Sequence, residues 1–221
     1  MTKKKAIVLF SGGLDSTTLL VYALFKDFDV TPLTFIYGQR HSVEVDKARL
    51  ILKKYGLLEK EILFNINLSS FLGSSLLNME MEVPQKPGSE VPSTYVPARN
   101  LIFLSIASGF AETLNATHIF IGVNSVDYSG YPDCSFEFIE SFNKTVAIGT
   151  KQGVTVEAPL VHLSKKEIIE LGMSIGVDYS ITHSCYNPSK NGLSCGVCDS
   201  CRLRLKGFSE AGIKDPAAYD L

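Results

Sequence analysis

AIVLFSGGLDSTTLL, residues 6–20 of the 221-residue chain, joins an apolar strand to a helix across two glycines. The unbroken apolar run 6–10 carries the pattern of a parallel strand buried on both faces, and Ser11-Gly12-Gly13 interrupts it. Asp15-Ser16 then opens a helix predicted to run through Thr17, Leu19, Leu20 and Ala23. Paired glycines accept positive φ and allow a ligand close to the backbone, so successive amides can converge at the positive end of that helix. Such a concavity binds oxyanions. The hydroxyls of Ser11, Ser16 and Thr17 add donors. The Asp15 carboxylate opposes a bare phosphate but suits a Mg²⁺ ion that bridges it to phosphate oxygens.

Two other phosphate loops are excluded. No Gly-Lys-Ser/Thr follows the glycines, and the G-x-G-x-x-G spacing of dinucleotide folds is missing. Ser-Gly-Gly-x-Asp-Ser directly after an apolar strand instead resembles the pyrophosphatase loop of the PP-loop superfamily. That resemblance implies cleavage of ATP between its α and β phosphates and transfer of AMP to a substrate oxygen.

Length and composition bound what surrounds the loop. With 221 residues and 45% hydrophobic content, the chain suffices for one α/β domain and a small appendage. A net charge of −2 and a pI near 6.1 give no general attraction to nucleic acid or an anionic membrane. The basic start Met1-Thr2-Lys3-Lys4-Lys5 precedes an apolar run too short for a signal peptide, and no segment has the length of a transmembrane span. A cytoplasmic location follows, in which the five cysteines are read as ligands, nucleophile or core before disulfides.

Further strands are predicted over 30–37, 61–66, 117–123 and 154–157, alternating with helices over 42–55, 101–114 and 136–148. This is an open parallel five-stranded sheet with helices on both faces. Ser164-Lys165-Lys166-Glu167 has the capping-box pattern and starts one more helix. Between strand and helix, Gly38-Gln39-Arg40-His41 falls where open parallel sheets bind ligands, making Arg40 and His41 candidate contacts to phosphate or adenine, with a solvated charged turn as the alternative. Residues 69–97, rich in proline, glycine and serine, break the alternation and are read as a lid over the site. Arg99 and Lys165 each fall in the first turn of a helix, where the dipole favours anions, so each hints at a bound anion. The loop from Asn124 to Cys134, with Tyr131 and Asp133, suits a planar heterocycle that tyrosines stack on and polar side chains read.

The tail, residues 184–221, follows a main domain over 1–183 and carries Cys185-x9-Cys195-x2-Cys198-x2-Cys201. Four thiolates at this spacing can close a tetrahedral cage around Zn²⁺, and the same spacing resembles part of an iron–sulfur run. With all positions filled by protein, a zinc here is structural, pinning the basic helix of Arg202, Arg204 and Lys206.

Taken together, the Ser11–Ser16 loop, Tyr37-Gly38-Gln39-Arg40-His41-Ser42, Val96-Pro97-Ala98-Arg99-Asn100, Ser129-Gly130-Tyr131-Pro132-Asp133-Cys134 and the four-cysteine tail resemble the 7-cyano-7-deazaguanine synthases of queuosine biosynthesis. The resemblance spans nearly the whole chain. It implies an adenine-nucleotide α-hydrolase-like fold and a ligase that turns 7-carboxy-7-deazaguanine and ammonia into the nitrile with ATP and Mg²⁺. It also implies one structural zinc per chain and a homodimer, with small molecules as the partners. ATP would be held by Phe10, Ser11, Gly12, Gly13, Leu14, Asp15, Ser16, Thr17, Thr18, Leu19, Leu20 and Arg40. Catalysis would fall to Asp15, Arg99 and Lys165, substrate binding to Tyr131 and Asp133, and the metal to Cys185, Cys195, Cys198 and Cys201. The nearest rival, a tRNA sulfurtransferase, needs a catalytic thiol or cluster and a basic RNA surface, and the acidic pI counts against it.

Overall fold

The computed structural model describes residues 2–38, 43–71, 73–78, 80–84, 91–126 and 131–220, with the side chains of Val43 and Glu44 outside that description. Five strands form one sheet: β1 (Lys5–Leu9), β2 (Asp29–Ile36), β3 (Ile62–Asn65), β4 (His118–Phe120) and β5 (Thr155–Glu157). Their order is β3-β2-β1-β4-β5, and every pairing is parallel, with Ile7 opposite both Thr31 and Ile119. The strand order reverses at β1. An open parallel sheet splays its loops apart at such a reversal, so a crevice forms beyond the carboxyl ends of β1 and β4.

Alternation of side chains divides the core into two layers. Ile7, Leu9, Leu33, Phe35, Ile119 and Val156 face α3 (Arg99–Leu114) and α4 (Phe136–Gly149). Ala6, Val8, Val30 and Phe120 face α1 (Leu14–Phe25), α2 (Val43–Lys54), α5 (Lys165–Ser174) and α6 (Asp199–Glu210). The expected fold, helices on both faces of a five-stranded parallel sheet, is the one observed. The strand predicted over 117–123 is regular only from His118 to Phe120, because the chain beyond leaves the sheet to line the crevice.

Several helix starts follow from local chemistry. Ser164 accepts the Glu167 N–H while Glu167 reaches back to the Ser164 N–H, the reciprocal pair expected of α5. Ser135 caps α4 by accepting the Phe138 N–H at 3.1 Å. The segment 69–97 holds no helix or strand among its described residues, as expected, yet Ser74, Ser75, Leu76, Thr94 and Val96 are buried. This part of the stretch is packed onto the sheet, and Leu76 forms a wall of the crevice.

Candidate active site

A cavity of about 270 Å³ occupies the crevice. Its floor is the turn after β1. Gly12 has φ of +77°, and a Cβ there would stand 2.8 Å from the Ala48 Cα of α2, so conformation and packing both demand glycine. Gly13 does not share the positive φ that the sequence suggested; it is extended, with φ of −74°, and precedes Leu14, the first residue of α1. A Cβ on Gly13 would meet Ser11 Oγ at 3.4 Å and Ser184 Oγ at 3.5 Å, ordinary contact distances, so two hydroxyls flank this position. Ser16 Oγ accepts from Ser11 N at 3.3 Å and donates to Gly13 O at 3.2 Å, cross-bracing the turn.

Asp15 projects from the first turn of α1 into the cavity. Lys165, first residue of α5 and 6% exposed, places Nζ at 2.7 Å and 2.8 Å from the two Asp15 oxygens. The anion that the position of Lys165 foretold is therefore, in this structure, a carboxylate of the loop itself. Close helix contact makes this possible: a Cβ on Gly207 of α6 would lie 2.5 Å from Lys165 Cγ.

Arg99 opens α3 immediately after Ala98, which holds φ of +53°. Its Nη1 donates to Tyr37 Oη at 3.4 Å, and the guanidinium lies 5.8 Å from the Tyr37 ring centroid. Among the described residues it forms no ion pair with a carboxylate. Arg99, Tyr131 and Cys134 all line the cavity. Tyr131 Oη lies 2.6 Å from Thr94 Oγ1, and burial raises its phenol pKa. Asp133 lies behind the wall: its carboxylate accepts the Asn100 N–H at 2.8 Å, tying the loop that carries Tyr131 to the start of α3. Burial, with the Asp133 charge, pushes the Cys134 thiol up to about 12, and its sulfur accepts from Asn100 Nδ2 at 3.3 Å.

The loop residues thus divide. Phe10, Ser11, Gly13, Leu14, Asp15 and Ser16 line the cavity. Thr17, Thr18, Leu19 and Leu20 are buried behind it, Thr18 bonding Leu14 O and Tyr179 Oη, and act through the shape of the turn. Asn124 is engaged with Leu160 O and Leu163 O and closes an Asx turn on Val126 N, so at that residue the polar loop folds on itself. Arg40 and His41 lie outside the described residues, as do residues 127–130 of the loop read as base-binding. Sequence reasoning missed Phe103, Ser184 and Tyr186, which also line the cavity. The only local sign of the last two was adjacency to Cys185.

The four tail cysteines converge. Their sulfurs all lie within 4.8 Å of one another, and Cys185, Cys198 and Cys201 are buried. Amides of Asn187 and Cys195 point at Cys185 Sγ, at 3.3 Å and 3.2 Å, and that of Cys198 at Cys195 Sγ, the donors a thiolate attracts. Hydrogen bonds from the Cys185 and Cys201 thiols push the Cys198 thiol well below its ordinary value. This donor set fits a metal ion. The tail is held to the main body by Arg204, which is buried: it pairs with Asp215 at 2.8 Å and donates to Thr182 Oγ1 and Tyr179 O.

The family model described as queuosine biosynthesis protein QueC matches residues 5–212. A 7-cyano-7-deazaguanine synthase of Syntrophotalea carbinolica is 53% identical over 225 residues, covering 98% of this chain and 96% of that protein. One from Pseudomonas putida is 48% identical over 224 residues, covering 99% and 100%. Among solved structures, the NMN synthetase of Francisella tularensis superposes with a TM-score of 0.52 at 16% identity, covering 96% of this chain and 78% of that one. That likeness concerns the fold, an adenine-nucleotide α-hydrolase-like one. Among the described residues no helix is long and apolar enough to cross a membrane.

Proposed function

The chain belongs to the queuosine biosynthesis protein QueC family, and from that premise we propose that it is an ATP-dependent ligase making 7-cyano-7-deazaguanine from 7-carboxy-7-deazaguanine and ammonia. One observation carries the reading beyond family membership. A single cavity joins a turn at a helix N-terminus, a carboxylate with an ammonium, a guanidinium without an acidic partner among the described residues, and an aromatic wall. The first three suit a nucleoside triphosphate, and the last a flat heterocycle.

A carboxylate is a poor electrophile because oxide cannot leave. Its oxygen attacks the α-phosphorus, pyrophosphate departs, and the acyl adenylate yields amide and AMP when ammonia attacks. The amide oxygen then takes a second AMP by the same displacement, and loss of that AMP with the remaining N–H protons forms the nitrile. The α1 N-terminus and the hydroxyls of the turn before it meet the charge of the departing pyrophosphate. Arg99 meets negative charge at the other wall. Lys165 holds Asp15 oriented, and Tyr131 and Phe103 bound the slot for the heterocycle. Magnesium bound at Asp15 supplies charge neutralisation on the phosphates.

We assign zinc to the cysteine cage, since four protein sulfurs complete a tetrahedron and leave no open position. The chain is read as a cytoplasmic homodimer on the family resemblance. Its action is tested by pyrophosphate release, which should require the deazapurine acid for the first turnover and ammonium for continued turnover. Release with neither would contradict the assignment.

A further inference from the structure

We propose that Ser184, outside the glycine turn by 170 residues, is a ligand of the nucleotide's pyrophosphate and that the cysteine centre holds it in place. The proposal rests on the reading that the turn binds ATP, and it adds a residue to that site. Ser184 Oγ accepts the Leu14 N–H at 3.0 Å. Leu14 is the first residue of α1, so its amide has no partner within the helix and is among those an anion takes there. A hydroxyl oxygen thus occupies a position suited to a phosphate oxygen.

A serine hydroxyl that accepts one hydrogen bond keeps a proton to donate. Among the described residues Ser184 Oγ donates to no acceptor, and the side chain lines the cavity. It stands across Gly13 from Ser11 Oγ, the two hydroxyls lying 3.5 Å and 3.4 Å from where a Cβ on Gly13 would be, so they flank the same face of the turn. A phosphate oxygen above Gly13 comes within reach of both. The backbone before Ser184 is strapped to the same turn, with His183 N donating to Gly12 O at 3.0 Å. The residue after it is Cys185, fully buried, whose sulfur takes two amide hydrogen bonds. Ser184 is therefore held from both sides, by the turn it serves and by the cysteine cage.

The test is calorimetric titration of the full, metal-loaded chain in Mg²⁺ with α,β-methylene-ATP, pyrophosphate and adenosine. Ser184→Ala should weaken the analogue and pyrophosphate about tenfold, the scale of one hydrogen bond to a charged group, and leave adenosine unchanged. Ser184→Thr, which keeps the hydroxyl, should restore most of the affinity. Unchanged pyrophosphate affinity in the alanine variant, or an equal loss for adenosine, would overturn the proposal. Should that variant fail to fold, hydrogen exchange in the unaltered chain decides: pyrophosphate must slow residues 182–186 and adenosine must not, and no slowing overturns it. These probes contain no deazapurine, so a wrong substrate assignment leaves their outcome untouched.

Discussion

Lys165 Nζ bridges both carboxylate oxygens of Asp15, at 2.7 Å and 2.8 Å, across 150 residues of sequence. The pair closes the crevice from the α5 side and fixes the one acidic group of the 11–16 turn. With the Asp15 side chain 27% exposed and that of Lys165 7%, water screens the pair only in part. On the proposed reading, a Mg²⁺ ion held at Asp15 would compete with Lys165 for the carboxylate, and the ammonium would serve as a placeholder for that charge in its absence.

Lys165→Met should therefore have two opposite effects. Asp15 is left without its counter-charge, so free Mg²⁺ should bind the variant more tightly than the unaltered chain in the absence of nucleotide. Adenylation should fall by about 10²-fold or more, the usual loss when a charge-stabilising donor is removed. Asp15→Asn should fold and lose adenylation too, but without any gain in Mg²⁺ binding. Magnesium titration and pyrophosphate release on the two variants check this, and equal Mg²⁺ affinities would contradict the placeholder role.

Gly207→Ala tests the packing behind the pair. The new methyl would sit 2.5 Å from Lys165 Cγ and 2.8 Å from its Cβ, so either α6 retreats or the lysine swings off Asp15. Overpacking of this kind costs about 1–3 kcal/mol, or very roughly 2–12 °C in Tm for a domain this size. Activity should fall further than the lost stability explains, measured well below the melting temperature. A stable variant with full activity would show that the lysine position is not set by α6.

The turn and the sheet were legible because both are local. Buried parallel strands show as unbroken apolar runs, and a glycine pair between strand and helix marks the turn, though not which of the two glycines takes the positive φ. Strand order was not, since nothing in 6–10 or 117–123 says which strands lie side by side. The same limit applied to the site. Asp15, Lys165, Arg99 and Tyr131 were nominated one by one, but the pairing of the first two depends on α5 crossing the end of α1. Asp133 carries the residue type of a ligand contact, and only the tertiary structure shows its carboxylate on the Asn100 amide. Ser184 had no signal beyond its neighbour Cys185, because its partner Leu14 is 170 residues away. Arg204 was grouped with the basic helix as a whole, since helix periodicity alone does not reveal the buried Asp215 that pairs with it.

Cys134 separates amide formation by ammonia from a route through a thiol. Burial holds its thiol near 12, so at neutral pH it is protonated and a poor nucleophile. Cys134→Ser should keep the metal content and most of the nitrile-forming activity. Alkylation by iodoacetamide in the unaltered chain should stay slow from neutral pH to about 9 and rise only as pH approaches the thiol's value. Complete loss of turnover in a folded, metal-loaded serine variant would make a covalent thioester route the better account.

Removing the metal should act on the phosphate site as well as on stability. Elemental analysis should find one zinc per chain, and Cys198→Ser or a strong chelator should lower Tm by several degrees. Because Ser184 adjoins Cys185, the stripped protein should also bind pyrophosphate more weakly at temperatures where it is still folded. Iron in place of zinc, or undiminished stability after stripping, would refute the structural role.

The most direct measurement is mass spectrometry of the product formed from 7-carboxy-7-deazaguanine, ATP, Mg²⁺ and ammonium. The account predicts the nitrile, with the amide as a transient species and two AMP and two pyrophosphate released for each nitrile made. Amide that accumulates with one AMP each and never dehydrates, or a product carrying sulfur, would contradict it.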